Sequence, residues 1–154
     1  MTTAFVATPI GILKICEDGG AILQIIECDS FVSDNLQKEV TEVLKLAVSE
    51  IERYFNGELN HFSFPIAFNG TDFQKAVWKA CMAIPYGSTL FYSEIASIIG
   101  KPKASRAVGA ALSQNRLLLA VPCHRVLAKG RLGGFRLGAE TKALLLNLEK
   151  GNSI

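Results

Sequence analysis

The chain has 154 residues, 49% of them hydrophobic, and a formal net charge of +2. That is enough for one ordinary domain or two small ones with a real core. No apolar run is long enough to span a bilayer and no basic segment leads into one at the N-terminus, so a soluble protein without membrane contact is expected, in the cytoplasm or, in a eukaryote, the nucleus.

The four cysteines, Cys16, Cys28, Cys81 and Cys123, are widely spaced without a CxxC pair. Neither a disulfide framework nor a structural zinc site is expected from them, and no metal or cofactor is implied. The small net charge conceals an asymmetry. Between Ile95 and Ala139 there is no Asp or Glu, while eight of the 16 basic residues lie there; all 14 acidic residues face the other eight. A segment of charge +8 points to an anionic partner, and nucleic acid is the commonest large one.

In chain order, residues 5–27 read as strands, with Glu17-Asp18-Gly19-Gly20 as the turn of a hairpin. From Asp34 to Phe55 the period becomes helical, with Leu36, Val40, Val43, Leu44, Val48, Ile51 and Phe55 on one stripe and Ser33 or Asp34 as cap. Phe62, Phe64 and Ile66 alternate like a strand, and His61 has no ligand set around it. Asn69-Gly70 marks a boundary between residues 1–69 and 70–154.

Thr71-Asp72-Phe73-Gln74 is a capping box opening a helix with Phe73, Val77, Cys81 and Ile84 on one side. Two short helical segments follow, joined through Gly100, with Ile95, Ile98 and Ile99 expected inward on the first. Helix, short turn, helix is a DNA-binding arrangement. The second helix presents Arg106, Gly109, Ala110, Ala111 and Ser113, small residues that suit a close approach to a groove and suit close helix packing equally well.

Leu117 to Val121 reads as a buried strand stopped by Pro122, delivering Cys123 beside His124 and Arg125. A thiol is activated when a base or positive charge lowers its pKa, and these neighbours can supply both. An isolated Cys-His pair is more often a core cysteine beside a histidine. The glycines around Arg131, Phe135 and Arg136 permit tight turns, but their spacing matches no phosphate-binding fingerprint. Glu149 borders the apolar stripe of a final helix from about Glu140 to Lys150, where a carboxylate needs a partner, although an ordinary C-terminal glutamate is the plainer reading by position alone.

In sequence order these pieces resemble the O6-alkylguanine-DNA alkyltransferases, also called methylated-DNA–protein-cysteine methyltransferases. The blocks are Gly70-Thr71-Asp72-Phe73-Gln74 with Val77-Trp78; Ile84-Pro85-Tyr86-Gly87; Tyr92 with Ile95-Ala96; Arg106 to Ala111; Asn115; and Pro122-Cys123-His124-Arg125-Val126. Gly134-Phe135, Lys142, Leu144-Leu145 and Glu149 complete them. The resemblance implies an α+β protein: a small ribonuclease-H-like N-terminal support domain, then a winged-helix-type, mostly helical domain with a helix-turn-helix. It implies a monomer acting on double-stranded DNA through the minor groove.

The resemblance also implies residue roles. Cys123 accepts the alkyl group, His124 takes its proton through a water, Glu149 orients His124, Tyr92 donates to the base, and Asn115 ties the helix to the site. Arg106 holds the place of the flipped nucleotide, with Ala107, Gly109, Ala110, Ser113 and Arg125 also on DNA, and Val126, Phe135 and Arg136 frame the base. Flipping is a physical requirement, because a stacked base keeps its O6 carbon out of a thiol's reach. The sequence departs from the family pattern at Phe91, Arg116 and Phe135, where Ser or Thr, Pro and Tyr are usual. The alternatives are a lesion-binding relative without transfer, which would lack the cysteine, or a Cys-His hydrolase, for which no oxyanion hole is specified.

Overall fold

A computed structural model describes residues 1–30 and 40–151. The chain falls into two compact units, Met1–Phe68 and Asn69–Ile154.

The first unit is a three-stranded antiparallel sheet, β1 (Thr2–Thr8), β2 (Gly11–Asp18) and β3 (Ala21–Cys28), with one helix, α1 (Glu42–Phe55). The β2–β3 turn falls at Gly19 and Gly20, whose φ of 60° and 86° give the two positive-φ residues that a tight right-twisted hairpin needs. The expected hairpin is therefore present, and β1 extends it to a third strand. Leu13, Ile15, Ile22 and Ile25 are buried in the sheet.

Helix α1 begins later than its periodicity indicates. Thr41 is its cap, accepting from the Leu44 amide, and Val40 is non-helical and exposed; the proposed caps Ser33 and Asp34, and Leu36, lie outside the described residues. Its inward face is Leu44, Ala47, Ile51, Tyr54 and Phe55, with Val43 and Val48 at the margin. Glu50 is buried on this helix because the 61–66 segment folds onto it: its carboxylate accepts from the Ser63 amide at 2.8 Å, the Ser63 hydroxyl and the Phe64 amide. That segment is not the expected strand; only Ile66 forms a bridge, parallel to Ile22.

The second unit has α2 (Asp72–Met82), α3 (Tyr92–Ile98), α4 (Ser105–Ser113) and α5 (Ala139–Glu149), with a two-stranded parallel pair, β4 (Leu90–Phe91) and β5 (Val126–Leu127). The capping box of α2 forms in both directions, Thr71 Oγ1 accepting from the Gln74 amide and Gln74 Oε1 from the Thr71 amide. Trp78 on α2 donates from Nε1 to the Ala111 carbonyl of α4 at 2.9 Å, locking those helices together in the core. Ile95 and Ala96 are the buried positions of α3; Ile98, expected inward, is 60% exposed because the helix is only two turns long and its last turn clears the α2–α4 core.

Leu117–Val121 is buried as expected but is not a strand. Its amides close on their own neighbours, Ala120 to the Leu118 carbonyl and Val121 to that of Leu117, and Leu119 takes a left-handed φ of 71°. A coil of apolar turns fills the core where a strand would need a partner edge.

Candidate active site

Cys123, His124 and Arg125 form a single 3-10 turn between Pro122 and β5. The turn separates their side chains. Cys123 is half-buried, whereas His124 and Arg125 are buried at 1% and 7% exposure. Asn115, at the end of α4, reaches this turn with its amide nitrogen, donating to the Val121 carbonyl at 2.9 Å and contacting Cys123 Sγ at 3.3 Å. Its oxygen accepts from the Leu117 amide. One buried side chain thus fixes the helix end, the coil of turns and the thiol.

On the buried side of the turn, His124 Nε2 lies 2.6 Å from Glu149 Oε2 of α5. Glu149 also receives Arg125, from Nε to Oε1 at 2.8 Å and from Nη2 to Oε2 at 3.1 Å, and Arg125 Nη1 donates to the Ile84 carbonyl at 2.7 Å. The Gly87 amide adds a longer bond to Glu149 Oε1. The carboxylate that needed a partner has a cation, an imidazole and an amide around it. Arg125 was expected on DNA and is corrected here: its guanidinium is directed inward and engaged by Glu149 and Ile84, and its charge lies over the Tyr86 ring at 5.7 Å.

Electrostatics run opposite to the activated-thiol expectation. Burial pushes the Cys123 thiol above its ordinary pKa, with Asn115, Lys142 and Arg136 pulling it partly back. Burial also lowers His124, overcoming the hydrogen bond to Glu149. A neutral thiol and a neutral imidazole are the resting pair. Because Nε2 faces a carboxylate, the imidazole proton sits there, which leaves Nδ1 as the proton acceptor.

Cys123 opens into a pocket of about 280 Å3 lined by Tyr92, Leu112, Asn115, Leu118, Phe135 and Arg136, among others. Tyr92 and Gly109 and Gly134 also line an adjoining cleft of about 620 Å3 with Ser105, Arg106 and Arg131. Tyr92 Oη donates to the Gly134 carbonyl at 3.4 Å, and burial raises its pKa. Phe135 and Arg136 line the thiol's pocket, with Arg136 Nη2 donating to the Ser113 carbonyl at 3.3 Å. Val126 does not line either pocket: pairing of β5 with β4 turns its side chain into the core, at 0% exposure.

On α4, Val108, Ala111 and Leu112 face inward, which leaves Arg106, Ala107, Ala110 and Ser113 exposed together with Gly109 half-buried beside them. Of the small residues expected on the open face, Gly109, Ala110 and Ser113 are there, whereas Ala111 packs inward, its carbonyl accepting from Trp78 of α2. One residue of the family pattern was given no role in the sequence. Lys142 of α5 is fully buried and donates from Nζ to the carbonyls of Val126 at 2.6 Å and Gly134 at 3.0 Å. Among the described residues no cluster of three His, Cys, Asp or Glu side chains stands ready for a metal ion.

A thiol on the same turn as an imidazole held by a carboxylate, opening beside the small-faced second helix of a helix-turn-helix, defines a DNA-facing protein built around one cysteine. Family models agree over nearly the whole chain: the 6-O-methylguanine DNA methyltransferase ribonuclease-like domain matches residues 1–68 and the DNA binding domain of the same family matches residues 72–151. The chain belongs to the 6-O-methylguanine DNA methyltransferase family.

Among its relatives, the methylated-DNA–protein-cysteine methyltransferase of Methanosarcina barkeri is 50% identical over 107 residues, 69% of this chain and 68% of that protein. That of Haemophilus influenzae is 42% identical over 149 residues, 93% of this chain and 83% of its own length. The inducible one of Bacillus subtilis is 54% identical over 102 residues, 66% of this chain and 57% of that protein. The crystal structure of Mycobacterium tuberculosis OGT in complex with DNA superposes with a TM-score of 0.86 at 36% identity, covering 99% of this chain and 95% of that one.

Proposed function

We propose that the chain repairs DNA by direct reversal, moving the alkyl group from O6 of a flipped-out guanine onto Cys123 once per molecule. The observation that carries this is the placement of Cys123: its thiol, the one thiol among the pocket's lining residues, faces a pocket beside the open face of α4, and the next residue in the chain is an imidazole held by a carboxylate. Named relatives with this activity, and a DNA-bound structural neighbour, support the reading. We take residues 1–69 as support and 70–154 as the repair domain, working wherever the cell keeps its DNA.

In the reaction the sulfur–carbon bond forms as the carbon–O6 bond breaks. The thiol proton passes through a water toward Nδ1 of His124, and Glu149 stabilises the imidazolium that results. The resting neutral pair makes this order necessary, since burial disfavours a standing thiolate. Tyr92, also on the pocket wall, gives its phenolic proton to the base so that guanine leaves neutral, and the proton held on His124 returns to the phenolate through water. Asn115 holds Sγ in line. Arg106, exposed on the second residue of α4, fills the stack behind the flipped nucleotide, and Ala107, Gly109, Ala110 and Ser113 let the helix approach the minor groove. Phe135 and Arg136 close on the base.

Incubation with duplex DNA carrying O6-methylguanine is expected to add a single methyl group to Cys123, read by intact and peptide mass spectrometry. Well-folded protein that stays unlabelled, or transfer surviving in Cys123→Ala, would refute the assignment.

A further inference from the structure

Lys142 is the one fully buried cation of α5 among the described residues, and nothing in the transfer scheme above uses it. No carboxylate is hydrogen bonded to it; its ammonium is held by two backbone carbonyls, Val126 O at 2.6 Å and Gly134 O at 3.0 Å. A buried charge without a counter-ion costs several kcal/mol, on the order of what a domain can tolerate only once or twice, so its retention calls for a local reason.

The reason lies in its second carbonyl. Gly134 O is also the acceptor for the Tyr92 hydroxyl, at the longer distance of 3.4 Å. Lys142 Nζ sits 5.9 Å from the centre of the Tyr92 ring, so ammonium, carbonyl and phenol form one compact group on the wall of the Cys123 pocket. Gly133, next in the chain, is pressed against the same ring: a Cβ there would lie 2.9 Å from Tyr92 Oη. For Tyr92 to donate to a bound base, its hydroxyl must leave Gly134 O. Without another donor that carbonyl would be stranded in a closing pocket, at about 1–3 kcal/mol.

We infer that Lys142 is a positioning residue for alkyl transfer: by holding the Gly134 and Val126 carbonyls it frees the Tyr92 hydroxyl to turn from the protein to the base. The inference rests on the transfer reading and deepens it. The ammonium does this best while charged, because a charged donor bonds a carbonyl about twice as strongly as a neutral one. Burial brings its pKa down to about 8, against the opposing influence of Cys123 and Cys81. The ionisable groups around it are Cys81 of α2, Tyr92 of α3, and Cys123 and His124 of the 3-10 turn.

The test is a double-mutant cycle on single-turnover transfer from O6-methylguanine duplex DNA at saturating DNA, with urea titrations to follow folding. Lys142→Met is expected to slow transfer about 10- to 100-fold, the range for a lost charged hydrogen bond. In a Tyr92→Phe background it is expected to add no more than about 2-fold, because both changes remove the same function. Losses that multiply overturn the inference. A second arm leaves Lys142 untouched and stands even if Lys142→Met does not fold. The wild-type rate is expected to decline as pH rises through about 8, and Tyr92→Phe to abolish that decline. No decline, or one that Tyr92→Phe leaves in place, also overturns it. Wild-type protein that transfers nothing would strike the proposed function instead.

Discussion

Replacing Arg125 by methionine separates a DNA-contacting arginine from a buried counter-ion. The substitution keeps most of the aliphatic volume and removes four interactions: two hydrogen bonds to Glu149 at 2.8 and 3.1 Å, one to the Ile84 carbonyl at 2.7 Å, and the contact with the Tyr86 ring. Glu149 is 5% exposed, so its charge cannot turn to water. Breaking a buried pair from one side costs about 3–5 kcal/mol, chiefly because the carboxylate loses its cationic partner while the neutral imidazole and the Gly87 amide stay on it. Against the 5–15 kcal/mol typical of a whole domain, roughly a fifth or more of the stability is at risk.

Urea unfolding followed by tryptophan fluorescence reports on the right unit, since the single Trp78 lies in its core. The expected result is a midpoint shift equivalent to about 3–5 kcal/mol at unchanged slope. DNA affinity of the folded fraction, and its salt dependence, should stay near wild type. A shift under about 1 kcal/mol, or a folded variant with weakened DNA binding, would refute the buried role and return Arg125 to the DNA face.

Arg106→Ala is expected to leave stability within about 0.5 kcal/mol, as for an exposed helix residue, while slowing transfer from duplex DNA and sparing reaction with the free alkylated base; equal losses on both substrates would remove the flipping role. His124 supplies a pH signature. Burial holds its folded pKa below the ordinary 6.5, so as pH falls through that value the unfolded chain takes a proton that the folded protein refuses. Stability attributable to His124 is therefore full above about 6.5 and lost on acidification; urea midpoints between pH 5 and 8 should show the wild type losing more than His124→Gln, and equal losses would count against a neutral resting imidazole.

Legibility in the sequence followed physical type. The capping box at Thr71 and the glycine turn after β2 are local devices, complete within a few residues, and both form as read. Burial was harder to read where charge was involved. Arg125 and Lys142 lie in or beside the basic segment, and charge counted along a chain carries no direction; both point inward, one to Glu149 and one to backbone carbonyls. Lys142 had a signal, since it lies three residues before Leu145 on the same stripe of α5, but lysine at such a position is ordinarily read as snorkelling outward. The apolar run Leu117–Val121 shows the limit of hydrophobicity itself: it marks burial, not conformation, and left-handed Leu119 is invisible to it. For Ile98 the period was extended one turn past the helix's packed part.

Those inward charges also explain why the site can rest uncharged. Glu149 meets Arg125 at both carboxylate oxygens, so its negative charge is already matched before any chemistry. A permanently protonated His124 would add a cation beside Arg125 and near Lys142, both of which depress its pKa along with burial. A standing thiolate at Cys123 would be drawn to Lys142 and Arg136, yet burial still outweighs them. Burial disfavours each ion, while Lys142 and Arg136 favour the thiolate and Glu149 favours the imidazolium, so each charge would form beside groups that stabilise it. In the proposed transfer, movement of the proton from sulfur to His124 is thus favoured when a substrate is present to consume the thiolate at once. On the proposed transfer, alkylation of Cys123 leaves a neutral thioether with no thiol left to ionise, in a pocket whose burial disfavours a charged sulfur.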